Sequence, residues 1–562
     1  MRARYVLAAF LALFAILTLV DRFVLVELLI LRTGVPLLVA CVVAAGCAGL
    51  GRFARRAPRD LPLDFVIGYP LLGTACFLIG LLKVNVWTTG AVVLAACALN
   101  TNVGRASARP TAGRAEAPPT FAAIAVAAVL ACGFVAAQAP PTSLDELAYH
   151  LAVPHTWVLE GRAVELPLLS HSYFPLGIES ADLPALALLG AAEGGVASHL
   201  LHLIAAIATV WLIARRTQSW LLTAAIATTP ALAITAGWSL VDWPLAGLFV
   251  AMLEEDDPSA ATAAGLLTKY TFAPFALLVW VVRRRRPHWI ALAGLVFYVR
   301  NFILTWNPFA PFFGADAPHV AGFRELALAD YIFDPAFIDE ALGAAILILP
   351  AFAFGAVAIG SAAIAVALFF LAPSSRILVP YLIAPAMSAG EAVKSRWVAI
   401  VVGIAVVVQT FLVVWFTARG GAFSLLAGGA SEEDYLREQR ANYGSIEWLN
   451  RSLPADARAL VIGTGETYWF TKRVRGGGNF DGPRVSRYLD MHAPEALHAR
   501  LKRDGITHVA VIAAPVPTKN AQKVEERQTT LSPTAQRMLA RTLDAYAASV
   551  TSRGDATLFT LR

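Results

Sequence analysis

Two adjacent carboxylates and two histidines follow a stretch of this sequence that carries no charge. Residues 121–139 contain no Asp, Glu, Lys or Arg, and Asp145, Glu146, His150 and His155 come soon afterwards. Carboxylates and imidazoles can move protons in a reaction or bind a metal ion. Ionisable side chains within a bilayer are costly and usually functional or paired, although this group comes at the end of the apolar stretch.

Position alone also allows a structural role for the carboxylates. Ser143 followed three residues later by Glu146 fits the S-x-x-E capping box of a helix start. Both interpretations can hold together, with Glu146 capping the helix and Asp145 pointing into a cavity.

The residues that follow are rich in hydrogen-bonding and aromatic groups, which suits the binding of a sugar. They include the segment "HSYFPLGIES", which begins at His171. His150 and His155 are off the i, i+4 spacing of a helical zinc motif. A zinc site there requires His171 or Asp145 to converge with them.

The composition indicates a membrane protein that crosses the bilayer many times. The chain has 562 residues, of which 58% are hydrophobic and 15% charged, and its mean hydropathy is +0.63. Soluble domains carry about 25% charged residues. The five cysteines lie in apolar segments, without the spacing of a disulfide framework or a CxxC metal pair.

The positive charge follows membrane topology and does not indicate nucleic-acid binding. The net charge is +6, and the basic residues form short clusters between apolar segments, which is the pattern that orients spans. The clusters are Arg52, Arg55, Arg56 and Arg59; Arg105, Arg109 and Arg114; Arg215 and Arg216; and Arg283 to Arg286. With Arg2 and Arg4 cytoplasmic, these clusters face the cytoplasm, and the loops 140–196 and 303–339 face outward.

The sequence predicts a largely helical membrane part and a smaller domain at the C-terminus. Residues 1–118 form additional N-terminal transmembrane helices, 119–417 the main transmembrane module and 418–562 an extracytoplasmic α/β domain. Within this last part, "ALVIG", "HVAVIAA" and "ATLFTLR" read as strands, and "SIEWLNRSL" and "PEALHARLKRDG" as helices. The predicted apolar segments are 5–20, 34–50, 63–82, 87–99, 119–139, 197–214, 219–237, 244–253, 259–268, 271–282, 289–302, 340–358, 360–372, 377–391 and 397–417.

Four polar residues further along the chain are predicted at the same outer face as Asp145. They are Asp242, between two tryptophans; Lys269, between two apolar half-spans; and Arg300 and Arg376, at the outer ends of spans. Each alone is consistent with interfacial anchoring. Lys269 fits this explanation least well. A snorkelling lysine usually lies at the end of a full-length span, whereas Lys269 lies between two half-spans.

Together, one carboxylate and several cations favour the transfer of a group from an anionic lipid. A sugar on a polyprenyl phosphate already carries a good leaving group, so the leaving phosphate needs Lys or Arg rather than a protonating acid. The acceptor hydroxyl needs one general base, and an aspartate can serve. Glycoside hydrolysis, by contrast, normally needs two carboxylates.

Four short motifs, in this order, resemble those of the GT-C superfamily of membrane glycosyltransferases. They are "LDELAYH", "TKYTFAPF", "RNFILTWNPFAPFF" and "SRILVPYL". The resemblance covers residues 119–400 and is to bacterial relatives of dolichyl-phosphate-mannose protein mannosyltransferases and of lipid A aminoarabinose transferase. It implies a polyprenyl-phosphate sugar donor, an extracytoplasmic lipid, glycan or protein acceptor, and the bacterial inner membrane as location.

The resemblance also implies roles for individual residues. Asp145 is expected to be the catalytic base and Glu146 its motif partner, while Lys269 and Arg300 hold the lipid phosphate. The lesser candidates for lining the cavity are His150, His171, Asp242 and Arg376. A divalent metal stays open, because some relatives need one in this loop and others do not.

Two other function classes remain as alternatives. In a transporter or flippase, the same carboxylates would relay protons or substrate, although the sequence lacks the repeats common in such proteins. The third class is an inactive relative that acts as a scaffold or sensor through its outer domain.

Overall fold

The computed structural model describes residues 24–99, 120–313, 341–371, 374–478, 481–513 and 531–562. It consists of a helical bundle, followed by an α/β part built on a five-stranded sheet. The predicted fold class, a mainly α membrane bundle with a C-terminal α/β domain, is confirmed. The predicted first span, 5–20, most of the loop 303–339, and the cluster Arg105, Arg109 and Arg114 lie outside the described residues.

Most of the predicted apolar segments correspond to helices of the bundle, but the helix at segment 34–50 runs from Val24 to Arg55, and segment 340–358 is divided between two helices. The helices are α1 Val24–Arg55, α2 Leu61–Gly80, α3 Val86–Leu99, α4 Thr120–Ala137, α5 Ala152–Glu160, α6 Leu183–Thr217, α7 Trp220–Ala227, α8 Pro230–Ala233, α9 Asp242–Glu254, α10 Ser259–Thr268, α11 Phe272–Arg283, α12 Val296–Thr305, α13 Ala344–Ile348, α14 Ala356–Leu371, α15 Ser375–Ser388 and α16 Arg396–Arg419.

Several of these helices are too short to cross a bilayer alone. Among the described residues, four are long and apolar enough to span: Thr33–Arg55, Leu61–Gly80, Glu179–Thr217 and Arg396–Arg419. The pair Trp220–Ala227 and Pro230–Gly237, bent by 74°, makes a fifth candidate. Broken helices are tolerated at membrane depth where protein covers the exposed backbone. The bundle is therefore that of a multi-pass membrane protein with discontinuous spans.

One helix begins much earlier than its predicted apolar segment. The sequence predicts 197–214, whereas α6 starts at Leu183 and passes through Gly190 in the left-handed region, at φ +76°. Glu193 and the glycines around it interrupt the hydropathy of this segment. The chain there remains helical on both sides of the kink, so the outward loop is shorter than predicted.

The helices α1 and α2 approach closely enough for their backbones to touch. A Cβ atom on Gly68 would lie 1.7 Å from the Cys47 carbonyl oxygen, and one on Gly51 would lie 1.7 Å from the backbone carbonyl oxygen of Asp64. Small residues permit such contacts between membrane helices, where van der Waals packing drives association.

We predict that Gly68→Ala destabilises the bundle. The added methyl group must push α1 away from α2, and overpacking of this kind costs about 1–3 kcal/mol. The measurement is the midpoint of thermal unfolding of the purified protein in detergent. The matched control is Gly90→Ala, since a Cβ at Gly90 in α3 meets nothing within 4 Å. Equal midpoints for the two variants would contradict the close crossing.

Three of the basic clusters meet at one end of the bundle, which we call the arginine-rich face. They are the clusters that contain Arg55, Arg215 and Arg283. Arg55 binds Asp64 and lies 2.8 Å from Glu255, which joins α1, α2 and the end of α9. Arg215, at the end of α6, lies 2.9 Å from Glu254. The acidic residues after α9 therefore pair with arginines that come from distant parts of the sequence.

The candidate site residues lie at the opposite ends of the same helices. α9 runs from Asp242 to Glu254, so its two ends are about 20 Å apart at 1.5 Å per residue. Lys269 lies between the end of α10 and the start of α11, and α11 ends at Arg283, on the arginine-rich face. We call this second end of the bundle the Asp145 face.

The C-terminal part contains the three predicted strands and two further strands that the sequence pattern does not predict. Its elements are α17 Ala422–Leu426, α18 Glu432–Gln439, α19 Tyr443–Ser452, β1 Arg458–Ile462, β2 Arg473–Arg475, α20 Gly482–Leu489, α21 Pro494–Arg503, β3 His508–Ile512, α22 Pro533–Tyr546, β4 Ala547–Arg553 and β5 Ala556–Leu561. β2 is short, and β4 carries few buried side chains, so neither has the apolar pattern of a core strand.

The five strands form a mixed sheet in the order β2-β1-β3-β5-β4. β1 pairs in parallel with β2 and β3, while β5 pairs antiparallel with β3 and β4. Alternate residues of β1 face opposite sides. Leu460 belongs to the core formed with α20, α21 and α22, whereas Val461 belongs to a core shared with the bundle.

The loop after α4 lies between the bundle and the sheet part. Thr467 and Tyr468 donate backbone hydrogen bonds to the Leu147 carbonyl, and Ser170 N–H donates to Asp481. His155 on α5 is buried with its ring 5.2 Å from the Tyr468 ring. Burial lowers the pKa of His155 to about 4.

We predict that His155 makes the fold sensitive to mild acid. Its folded-state pKa, about 4, lies below the ordinary value of about 6.5. The unfolded chain therefore takes up a proton first, and stability that is full above pH 6.5 falls as the pH drops toward 4. At pH 5 the loss is about 2 kcal/mol.

The measurement compares thermal midpoints at pH 7 and pH 5. We expect His155→Gln to reduce the drop, while the matched variant His492→Gln, at an exposed histidine, leaves it unchanged. A wild-type drop that persists in full in His155→Gln would rule out this residue as its source.

Candidate functional site

Asp145 lies in the first turn of a helix that continues as a π-helical turn, Glu146–His150. π-Helical turns are rare and are frequent at functional sites. The Asp145 side chain keeps 32% of its surface exposed and accepts a hydrogen bond of 2.7 Å from Arg376 Nη1. It is therefore both fixed by a partner and still accessible.

Arg376 joins this aspartate to a second one from a distant helix. Its Nη2 lies 3.0 Å from Asp242 Oδ2, and its Nε lies 3.4 Å from Asp242 Oδ1. The Asp242 side chain is nearly inaccessible. Such two-point contacts fix a guanidinium in orientation as well as position. The first turns of α9 and α15 are thus held against the Asp145 helix.

Glu146 is fully buried and accepts hydrogen bonds on both carboxylate oxygens. Ser143 N–H donates to Oε2 at 3.1 Å, as the capping-box pattern predicts. His199 Nε2 and Ser239 N–H lie 2.7 Å and 2.6 Å from Oε1. The predicted catalytic role of Glu146 stays a prediction, and these contacts show what its carboxylate does structurally. It ties the Asp145 helix to α6 and to the residues before α9.

Lys269 occupies the extended break between α10 and α11, with φ −159° and ψ 141°. The predicted pair of half-spans is therefore present. Lys269 lies within electrostatic range of Asp242, Asp145 and Glu179. Across the described ranges it makes no ion pair and no hydrogen bond through its ammonium group, so its charge has no direct partner.

Arg300 lies on α12 against aromatic rings. Its guanidinium carbon is 5.0 Å from the Phe297 ring and 5.7 Å from the Phe77 ring. The guanidinium donates to the Phe174 carbonyl at 3.3 Å and to Asn301 Oδ1 at 2.8 Å. Within the part of the chain that the structure describes, it contacts no carboxylate. Neutral acceptors and aromatic faces leave its positive charge uncompensated.

A hydrogen bond joins the two residues that follow Lys269 and Arg300 in the chain. Asn301 Nδ2 donates to the Tyr270 hydroxyl at 2.6 Å. The same hydroxyl donates to Ala310 O at 2.8 Å. Tyr270 follows Lys269 in the chain and Asn301 follows Arg300, so this bond joins the segments that carry the two cations.

The four motifs contact one another in the fold. The Arg376 pair joins "SRILVPYL" to "LDELAYH", and the Tyr270–Asn301 bond joins "TKYTFAPF" to "RNFILTWNPFAPFF". Tyr381 donates its hydroxyl hydrogen to the Thr271 carbonyl, which joins the fourth motif to the second. Segments separated by up to about 230 residues thus form one cluster at the Asp145 face.

His150 is buried beside a carboxylate that the sequence analysis did not select. Its Nδ1 lies 2.8 Å from Glu179 Oε1. Burial and the nearby charges of Arg376 and Lys269 hold the pKa of His150 well below its ordinary value, so the ring is neutral at neutral pH. Glu179 stands within the quoted "HSYFPLGIES" segment, but nothing in its local pattern identifies His150 as its partner.

His171 contacts the same tyrosine ring as His150. Its ring stacks on Tyr149, with the ring centres 4.5 Å apart, and contacts Phe174 at 4.9 Å. Burial lowers the pKa of His171 as well. His150 and His171 therefore both contact the Tyr149 ring, and their predicted role in lining a sugar cavity stays a prediction.

The described residues do not assemble a metal site. No group of three His, Cys, Asp or Glu side chains within the described ranges has the arrangement of metal ligands. His155 packs against Tyr468, away from His150, and the Asp145 and Asp242 carboxylates share the Arg376 guanidinium. Among the described residues, the divalent metal that the resemblance leaves open therefore has no fitting ligand set.

Comparison with solved structures finds partial likenesses to proteins of known structure. The apo crystal structure of ArnT from Cupriavidus metallidurans has a TM-score of 0.46 and 13% identity, covering 78% of this chain and 97% of that one. The structure of the same ArnT bound to undecaprenyl phosphate gives a TM-score of 0.44 and 14% identity, with the same coverage.

The cryo-EM structure of the arabinofuranosyltransferase AftD from Mycobacteria is more distant. Its TM-score is 0.39 and its identity 14%, over 79% of this chain and 40% of that one. No family model and no curated protein sequence matches this chain.

We predict that Arg376 and Asp242 stabilise the fold as a coupled pair. The double-mutant cycle of Arg376→Gln and Asp242→Asn should give a coupling free energy of about 1–3 kcal/mol, because Arg376→Gln leaves the buried Asp242 carboxylate without its cation. Thermal unfolding of the four proteins in detergent measures it. The control cycle uses Lys394 and Glu391, an exposed pair 2.7 Å apart, for which coupling near zero is expected. Additive effects at Arg376 and Asp242 would contradict the proposed coupling.

Proposed function

We propose that this protein is a membrane glycosyltransferase that takes a sugar from a polyprenyl phosphate. The observation that carries the proposal is the charge arrangement at the Asp145 face. One partly exposed carboxylate, Asp145, lies within electrostatic range of Lys269, and the Tyr270–Asn301 hydrogen bond joins the Lys269 segment to that of Arg300. Neither cation has a carboxylate in direct contact among the described residues. The resemblance of the four motifs to GT-C glycosyltransferases supports the same assignment.

The reaction needs these groups in distinct roles. The acceptor hydroxyl oxygen attacks the sugar carbon that bears the phosphate, and the bond from that carbon to the phosphate oxygen breaks. Asp145 takes the proton from the attacking hydroxyl. The lipid phosphate leaves with the electron pair, and its added negative charge is stabilised by Lys269 and Arg300. Attack opposite the leaving group inverts the configuration at the sugar carbon.

Asp145 suits the role of base better than its neighbours for a structural reason. Both oxygens of Glu146 already accept N–H hydrogen bonds, and Asp242 is almost completely buried against Arg376. Asp145 uses one oxygen for Arg376 and remains partly exposed. In this proposal Glu146 and Arg376 position the base, while Asp242 orients Arg376.

Lys269 and Arg300 suit the phosphate because burying a charge without a partner is costly. An anionic group bound between them would compensate both. Arg376 is less suited, since its guanidinium is already shared by two aspartates. The aromatic surface beside His150 and His171 would then contact the sugar.

The proposed orientation in the membrane follows from the distribution of arginines between the two faces. The Asp145 face and the α/β part would lie on the outer side of the bacterial inner membrane, and the arginine-rich face on the cytoplasmic side. The acceptor would be a lipid, a glycan or a protein on the outer side.

We predict that Asp145→Asn lowers sugar transfer by about 10²–10⁴-fold, the range expected for removal of a general base. Lys269→Met should mainly weaken binding of the polyprenyl-phosphate donor. The assay follows radiolabelled sugar from polyprenyl-phosphate donors to lipid extracts, glycans or peptides, with the purified protein in nanodiscs. The control is Glu391→Gln, an exposed carboxylate. Unchanged transfer by Asp145→Asn would remove Asp145 from the mechanism.

A specific observation favours transport as the second candidate function. Three buried histidine–carboxylate pairs lie within the bundle: His150 with Glu179 at 2.8 Å, His199 with Glu146 at 2.7 Å, and His202 with Asp182 at 3.7 Å. Chains of such groups relay protons in pumps and transporters. Movement of labelled lipid-linked sugar across proteoliposomes without covalent transfer would favour this function. Retained function in cells when Asp145 and Lys269 are both replaced would instead favour a scaffold.

A further inference from the structure

A cavity that includes neither Asp145, Lys269 nor Arg300 in its lining lies behind the Glu146–His199 contact. It has a volume of about 90 Å³ and is enclosed by the ends of α4 and α16, the residues after α8, and α18 of the C-terminal part. One water needs about 10–15 Å³ of such space. The cavity therefore holds several non-hydrogen atoms, which is enough for the head group of a small amphiphile.

The lining of the cavity changes from apolar to polar. Trp238 and Phe416 line it on the bundle side, while Thr142, Tyr435 and Gln439 line it where the loop meets α18. No Lys, Arg, Asp or Glu is among the described residues that line it. A phosphate or carboxylate would find no opposite charge there, so the chemistry favours a neutral polar head joined to an apolar chain.

One buried polar atom in this lining has no hydrogen-bond partner. His199 is 1% exposed, and its Nδ1 makes no hydrogen bond among the described residues. Its Nε2 faces Glu146, whose two oxygens already accept N–H bonds from Ser239 and Ser143. The Glu146 carboxylate therefore acts as an acceptor, and Nε2 carries the hydrogen. In the neutral ring Nδ1 is then an acceptor, and it requires a donor.

We propose that this cavity binds a neutral amphiphile with a hydroxyl head group, whose hydroxyl donates to His199 Nδ1. A hydroxyl supplies the missing donor without bringing a charge, and the apolar chain lies against Trp238 and Phe416. The occupant contacts the imidazole that fixes Glu146. This site does not depend on the proposed transfer reaction.

The test is photolabelling of the full-length protein in detergent with an octanol that carries a diazirine on its chain. Mass spectrometry should locate the label on peptides that contain Trp238, Phe416 or Tyr435. Unlabelled octanol should compete at about fivefold lower concentration than its methyl ether, because the ether lacks the donor and one hydrogen bond is worth about this factor. Equal competition by the two compounds would overturn the proposal.

Two variants and a control locate the effect. Ala136→Phe fills the cavity from α4 and keeps the His199–Glu146 contact, so it should reduce the pocket label about fivefold or more. His199→Phe should abolish the preference for octanol over the ether. Ala363→Phe, on an exposed position of α14, should change neither result. The proposal would also be overturned if the pocket peptides were labelled no more strongly than α14. If a variant fails to fold, the competition between octanol and its methyl ether on the wild-type protein decides the question.

Discussion

The arrangement of the Asp145 face depends on one buried carboxylate. Glu146 accepts N–H bonds from Ser143 and Ser239 and faces His199, and these contacts join the Asp145 helix to α6 and to the segment before α9. The next residue, Leu147, accepts backbone hydrogen bonds from the α/β part. A buried carboxylate is stable only when its oxygens are satisfied. The same contacts therefore fix the proposed base, the α/β part and the wall of the cavity that His199 lines.

The charges around this carboxylate fall into two classes. Arg376 is neutralised by Asp145 and Asp242 and links three separate segments, so its contribution is to position other groups. Lys269 and Arg300 have no carboxylate partner among the described residues and are held by backbone geometry, aromatic rings and neutral acceptors. Both cations are partly buried, and such charges are costly without a direct ionic partner, so their presence at one face is the main physical argument for an anionic ligand there.

The broken helices serve the same arrangement. The α10–α11 break places Lys269 in extended backbone, and the bend after α7 brings Trp238 and Ser239 to the Asp145 face. In a membrane such breaks survive only where protein or a lined cavity satisfies the backbone. The arginine-rich face, by contrast, is built from ion pairs at the ends of α1, α6 and α9. The arginine-rich face is therefore held by ion pairs at helix ends, whereas the Asp145 face is formed by breaks within the helical segments.

The sequence by itself determined the helical membrane fold, the half-spans around Lys269, three of the five strands and the capping contact of Glu146. These features follow from local hydropathy, periodicity and spacing, which act over a few residues. It also placed Asp145, Asp242, Lys269, Arg300 and Arg376 at one face. Only the tertiary structure decided which charges are paired, that Glu179 faces His150, and that His199 faces Glu146. Pairing depends on contacts between residues far apart in the chain, and no local pattern records them.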